Sequence, residues 1–147
     1  MFYGEYEHTI DEKGRLIVPS KLRAPMKDNF IDRFFITRGF EKCLFVFTEQ
    51  EWKRIEEKFR QLPFTKSDAR NLARNFYSNA SESECDKQGR ILIPKRLLEY
   101  AGLKKEVIII GVSKRIEIWD KEAWKIFSEK SLENYEQTAE EIVGFDF

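Results

Sequence analysis

Two short stretches place an aspartate, a glycine and an arginine where a small charged turn would need them. The first is Asp11-Glu12-Lys13-Gly14-Arg15-Leu16-Ile17-Val18-Pro19, and the second is Asp86-Lys87-Gln88-Gly89-Arg90-Ile91-Leu92-Ile93-Pro94. Both read acid, two variable residues, Gly, Arg, three apolar residues, Pro, with every matched position offset by 75 residues. The Gly suits a turn position with φ > 0, the three aliphatic residues suit a strand, and Pro, with no N–H to donate, ends it. The Asp can hydrogen-bond the turn backbone or pair with the Arg four residues on. The Arg in turn has two uses. It can close a local ion pair, worth little at a surface, or offer its planar guanidinium to a phosphate or a guanine edge. Each copy reads as a hairpin that presents basic side chains.

The neighbourhood of the two arginines is unequal. Around Arg15 stand Lys13, Lys21, Arg23 and Lys27 against Asp11 and Glu12; around Arg90 stand Lys87, Lys95 and Arg96, with Gln88 in the place of Lys13. Lys13 and the Lys21/Arg23 pair suit phosphate contacts, which fix orientation rather than sequence choice. The first copy is therefore expected to lead any contact with nucleic acid.

Other chemistry finds little support. His8 is the sole histidine, which argues against a serine triad or a His-rich metal site. Cys43 and Cys85 lack metal-ligand spacing and read as small apolar residues of a chain kept in a reducing cytoplasm. Acid pairs such as Glu56-Glu57 and Glu140-Glu141 fall on solvated helical faces, and the glycines are scattered at turns with no phosphate-binding loop among them. No enzyme activity, cofactor, metal or small-molecule substrate is expected.

Zero formal net charge at first argues against nucleic acid, but the charge is not spread evenly. Residues 120–147 carry eight acids against Lys121, Lys125 and Lys130, so residues 1–119 are positive by about five. That segment is either an ordinary solvated acidic helix or a tail kept away from a basic working surface. A 41% apolar and 35% charged composition is that of a soluble globular chain, and no run is long enough to span a membrane. The start, Met-Phe-Tyr-Gly-Glu-Tyr-Glu, lacks the basic-then-apolar pattern of a signal peptide.

The elements that must hold the two motifs repeat with them. Residues 5–10 alternate as a strand before the first turn, Arg15–Val18 follows as another, and Ser20–Ala24 allows one helical turn before Pro25. Phe34–Arg38 and Leu44–Phe47 are two more strands. Thr48 and Glu51 form a capping box for a helix through about Arg60, with Trp52, Ile55 and Phe59 on one face. Thr65 and Asp68 signal a second start, before Ala69, Leu72, Ala73, Phe76 and Tyr77 at helical spacing. These two helices make a packed connector.

The second copy then runs in the same order: a strand at Ser81–Cys85, the turn, a strand at Arg90–Ile93, and a short helix over Lys95–Ala101 closed by Gly102. Strands at Glu106–Val112 and Arg115–Trp119 follow, then a helix capped by Asp120. Here Gly39/Gly111, Lys42/Lys114, Phe47/Trp119 and Trp52/Trp124 match at an offset of 72, which puts three extra residues of the first repeat near Pro25–Asp32. The chain divides into a repeat over 5–50, a helical connector over 51–80, a repeat over 81–124 and an acidic C-terminal helix or tail over 125–147.

Tandem Asp-x-x-Gly-Arg-hydrophobic-Pro turns, the start Met-Phe-x-Gly and the Ala80-Ser81-Glu82 lead into the second copy resemble the MraZ family of bacterial transcriptional regulators. A single unit resembles the AbrB-type swapped-hairpin DNA-binding domain. The resemblance spans nearly the whole chain through the Trp124 helix. It implies an α+β, β-rich fold in which the two hairpins interleave as a double-split β-barrel. It also implies assembly into a ring-like homo-oligomer in the cytoplasm and nucleoid. Such proteins bind repeated boxes of double-stranded DNA upstream of the division and cell-wall gene cluster, with repression as the general expectation. Carried onto this sequence, the DNA-binding residues are Lys13, Arg15, Lys21, Arg23, Lys87 and Arg90, and the turn is built by Asp11, Gly14, Pro19, Asp86, Gly89 and Pro94. AbrB-like hairpins also occur in antitoxins, where an appended segment caps a partner, and the acidic stretch Ser131–Phe147 would suit that alternative.

Overall fold

The structure, a computed structural model, describes residues 1–23 and 33–145. In chain order the elements are strands β1 (Phe2–Thr9) and β2 (Arg15–Ile17), helix α1 (Ser20–Arg23), strands β3 (Arg33–Arg38) and β4 (Leu44–Thr48), and helices α2 (Glu49–Arg60) and α3 (Ser67–Tyr77). The second half gives β5 (Ser81–Glu84), β6 (Arg90–Leu92), α4 (Lys95–Tyr100), β7 (Glu106–Ser113), β8 (Arg115–Asp120), α5 (Lys121–Leu132) and α6 (Tyr135–Glu141). The architecture is mixed α+β with antiparallel pairing throughout. The positions assigned to Ala24, Pro25, Lys27, the three-residue insertion and Asp146 lie outside the described residues.

The two halves exchange strands. A six-stranded sheet runs β1-β7-β8-β4-β3-β5, and a separate ribbon pairs β2 with β6. β1 of the first repeat thus lies on β7 of the second, while β5 of the second lies on β3 of the first. The expectation of a closed hairpin around each turn is corrected by this pairing. Only an isolated bridge, Ile10 to Leu16, joins the strands that flank the first turn. A three-residue strand carries too little pattern to choose its partner, and here β2 and β6 satisfy each other instead. Among the described residues the ladders do not close into a continuous barrel.

Alternation along the central strands explains the layers. Phe34, Ile36, Leu44, Val46, Val107, Ile109, Ile116 and Ile118 point to one side and are buried with Leu16, Val18, Leu22, Ile91, Ile93 and Leu97 from the ribbon layer. Each such side chain taken from water contributes about 1.5–3 kcal/mol. The alternate residues, among them Phe45, Phe47 and Trp119, face the other way; Trp52 of α2 and Phe76 of α3 cover Phe47, while Trp124 and Phe127 of α5 pack on Trp119. The connector is therefore packed, with Trp52 stacked on Phe76 at 5.3 Å and Phe59 at 4.7 Å from the same ring.

Side-chain caps open two of the helices. Thr48 accepts from the Glu51 N–H at 3.2 Å and opens α2, and Asp120 accepts from the Ala123 N–H at 3.2 Å and opens α5. The Thr65/Asp68 capping signal is corrected: the cap position of α3 is Lys66, whose side chain makes no capping bond. Its N–H instead donates to the Pro63 carbonyl at 2.8 Å, so the turn after Pro63 launches the helix. Leu72, expected on the packed face of α3, is exposed.

Candidate nucleic-acid interface

Each turn is locked by its aspartate in the same way. Asp11 Oδ1 accepts from the N–H groups of Lys13 and Arg15 at 3.0 and 2.9 Å, and Oδ2 accepts from Arg15 Nε at 2.6 Å. Asp86 Oδ1 accepts from Gln88 and Arg90 N–H, both at 2.9 Å, and Oδ2 from Arg90 Nε at 2.7 Å. The aspartate does both things its position allowed: it caps the turn and holds the guanidinium by Nε, which leaves the outer edge of the fork to another acceptor. These bonds hold both carboxyls below the ordinary aspartate value, the Arg15 and Arg90 backbone N–H groups being the larger cause and their guanidinium groups adding to it. Gly14 and Gly89 have φ of +83° and +78°, the left-handed region that glycine enters without steric cost.

The turns are also held by each other's repeat. The Gly14 carbonyl accepts from the Ile93 N–H, and the Gly89 carbonyl from the Val18 N–H, both at 2.9 Å. Between them lies the β2–β6 ribbon, with Arg15 opposite Leu92, Leu16 opposite Ile91 and Ile17 opposite Arg90. Leu16 and Ile91 face inward and are buried, so period-two alternation turns Arg15, Ile17, Arg90 and Leu92 outward. The two arginines consequently share one face. Arg90 Nη1 lies 3.9 Å from Asp11 Oδ2, so Asp11 sits near both guanidinium groups while Asp86 serves Arg90 alone.

Pro19 and Pro94 end the ribbon strands and start the flanking helices, their carbonyls accepting from Leu22 and Arg23, and from Leu97 and Leu98. Buried Leu22 and Leu97 anchor α1 and α4. Lys21, Lys95 and Arg96 are left exposed beside the ribbon, as are Lys13 and Lys87 at the turn tips. Arg23 behaves differently. Its Nε donates to the Val18 carbonyl at 2.9 Å, and its guanidinium lies where a Cβ on Gly89 would fall, 2.7 Å from Cζ. The matched residue of the second repeat is Leu98, which stands over Gly14. Arg23 was legible in the sequence as a cation but not as a brace for the other repeat's turn; Leu98 at the matched position was the available signal.

Among the described residues no group of three or more His, Cys, Asp or Glu side chains could hold a metal ion, and no helix is long and apolar enough to cross a membrane. Cys43 is buried and its thiol is pushed well up by that burial, so it remains protonated and unreactive near neutral pH. His8 lies half-buried in β1 opposite Val107.

A family model described as "MraZ protein, putative antitoxin-like" matches the chain twice, over residues 1–75 and 76–146. A solved structure, "The solution structure of PHS018 from pyrococcus horikoshii", aligns at 16% identity over 80% of this chain and 88% of that one, with a TM-score of 0.33.

Proposed function

Since the chain belongs to the MraZ family, whose description supports a regulatory or antitoxin-like role, we propose that it is a sequence-specific double-stranded DNA-binding transcriptional regulator. The β2–β6 ribbon carries the proposal, because it sets Arg15 and Arg90 on one outward face with their Nε atoms fixed by aspartate. A two-stranded antiparallel ribbon is an element that the major groove of B-DNA admits, and a guanidinium with a fixed inner edge can meet a guanine or phosphate with its outer edge. Lys13, Lys21 and Lys87 supply phosphate contacts around it. Arg23 joins them with its outer nitrogens only, its Nε being committed to Val18.

In this reading residues 5–50 and 81–124 are the DNA-binding repeats, 51–80 connect them and 125–147 follow as an acidic arm. The exchanged strands correspond to the double-split barrel of AbrB-like hairpins. Copies of the chain assemble into a ring-like oligomer at the nucleoid, and repeated boxes upstream of its own division and cell-wall cluster engage several copies at once. Avidity then offsets the few cations each subunit offers. The antitoxin-like reading keeps one supporting observation, the family description itself, with the exposed acidic arm as the capping segment.

Fluorescence anisotropy on duplex DNA from upstream of the gene, beside a scrambled duplex, tests this with salt titrated for both. Tight sequence-dependent binding with a steep salt slope is expected. Equal weak binding to both duplexes would remove the DNA reading and leave the protein-partner one.

A further inference from the structure

Both repeats lay an aromatic layer on the same face of the six-stranded sheet, yet among the described residues only the first carries a second helix over its tryptophan. Trp52 of α2 is buried under α3, against Phe76 and Tyr77. In the second repeat Trp119, Trp124 and Phe127 pack together, with ring centroids 4.9–6.3 Å apart, but the segment after α5 gives no such cover. Every residue of α6 except Ala139 is exposed. Ile126, Leu132, Tyr135, Ile142 and Val143 all show apolar side chains to solvent, Val143 at 99%. Leu132 and Tyr135 border one depression on this arm, and large apolar side chains gathered at such a place mark an interaction surface.

The arm is also acidic. Between Ile126 and Phe145, Glu129, Glu133, Glu136, Glu140 and Glu141 stand against Lys130 alone. None of the five is ion-paired among the described residues, and Glu141 accepts only from Gln137.

The outer face of α3 has the complementary character. Phe64 is exposed, and Phe59, Leu62, Ala69 and Ala73 line a groove of about 230 Å³ edged by Phe64, Arg70 and Arg74. That volume falls below the roughly 300–1,000 Å³ of small-molecule sites and suits a single branched or aromatic side chain. Arg70 and Arg74 meet neutral oxygens only: Arg70 Nη1 donates to the Phe64 carbonyl at 3.0 Å, and Arg74 Nη1 to Asn71 Oδ1 at 3.1 Å. Neither has a carboxylate partner among the described residues.

We propose that the acidic arm Ile126–Phe145 of one copy docks on the α3 face of the next, one of its apolar side chains in the groove between Phe64 and Ala73 and its glutamates on Arg70 and Arg74. The inference rests on the self-association proposed above and names the surfaces that make it. The arm has the length that a standard-size interface takes from each partner, about 20–30 residues. The two surfaces belong to different parts of the chain, so the contact is head-to-tail and propagates, closing as a ring wherever the rotation between copies permits. Pairing through unlike charges also makes the assembly salt-sensitive.

The test is the solution mass of the full chain by light scattering after size exclusion. The variants are the reversals Arg70→Glu with Arg74→Glu, Glu136→Arg with Glu140→Arg, and all four together. The wild type is expected to be oligomeric, each double reversal to fall to the monomer mass, and the quadruple variant to recover the assembly. Thermal melts run alongside; because α6 is exposed, the arm variant keeps its fold and decides the matter even if the α3 variant melts early. A monomeric wild type would overturn both the self-association and this interface. An oligomer that neither reversal changes, or that the quadruple variant fails to recover, would overturn the interface alone.

Discussion

At the first turn the Cβ that Gly14 lacks would fall 2.8 Å from the Ile93 carbonyl oxygen; at the second the Cβ that Gly89 lacks would fall 2.7 Å from Cζ of Arg23. The same backbone conformation is braced by rigid main chain in one repeat and by the end of a flexible side chain in the other. Around the arginines the inequality runs on. Among the described residues Arg15 has one carboxylate beside it, whereas Arg90 has Asp86 at 2.7 Å and Asp11 at 3.9 Å, and its side chain is the more enclosed. Duplication has kept the turn and let its surroundings diverge. The first turn is the stiffer, and its arginine the less neutralised.

The sharpest way to break this comparison is on DNA. Arg15→Ala should lower affinity for the specific duplex on the order of 100-fold, and Arg90→Ala about tenfold, since a good bidentate contact is worth about 1–3 kcal/mol. Anisotropy beside the solution mass separates this from disassembly, and equal losses would mean that the two arginines share the contact. Stability comes next. Gly14→Ala adds a main-chain clash to the cost of a left-handed alanine and should destabilise by about 2–3 kcal/mol. Gly89→Ala, where Arg23 can swing aside, should lose only about 1–2 kcal/mol. Chemical denaturation of both variants would show it, and a larger loss at Gly89 would reverse the order of stiffness.

Smaller effects follow. Lys13→Gln, which gives the first turn the tip residue of the second, should flatten the salt slope of DNA binding by about one phosphate. Arg23→Leu, which copies Leu98, should flatten the slope by less than Lys13→Gln, because the Arg23 Nε is held by Val18 and only its outer nitrogens reach a phosphate. A drop equal to that of Lys13→Gln would make Arg23 a full phosphate contact. The least effect is expected from acid. Folding holds both aspartate carboxyls below their ordinary value, so their contribution is fully present above about pH 4, the unfolded value. It is lost as pH falls through the lower folded values. Acid unfolding curves of Asp11→Asn and Asp86→Asn should lose equal parts of that acid-limb slope, because the two bonding patterns match.

Much of the turn geometry was legible in the sequence. Gly14 and Gly89 at φ > 0, the Asp–Arg closure of each turn, and the caps at Thr48 and Asp120 follow from residue chemistry over a few positions, where the chain has few alternatives. Pairing over long distance did not follow. Three apolar residues at Leu16 or Ile91 state that a strand is wanted and which side chain is buried, but not whose backbone completes it. Arg23 hid for the same reason: a cation on a short helix looks solvated until the other repeat's turn is laid against it. At α3 the helical spacing was right, but packing needed only its Phe76 edge, and Leu72 was left outside. The aromatic spacing in α2 was more telling, because Trp52 and Phe59 are large enough to compel burial.

The exchange of strands also sets a timetable for synthesis. β1 is made first, yet its ladder partner is β7, whose residues pair from Glu106 to Ser113, about a hundred positions later. At a translation rate of about 5–20 residues per second, the first strand waits roughly 5–20 s with its hydrogen-bonding edges open. Nor can the ribbon form before β6 has left the ribosome, so β2 stays unpaired in any nascent or truncated chain that stops within the first repeat. An incomplete copy therefore lacks a finished Arg15 face, and non-local pairing of this kind slows folding.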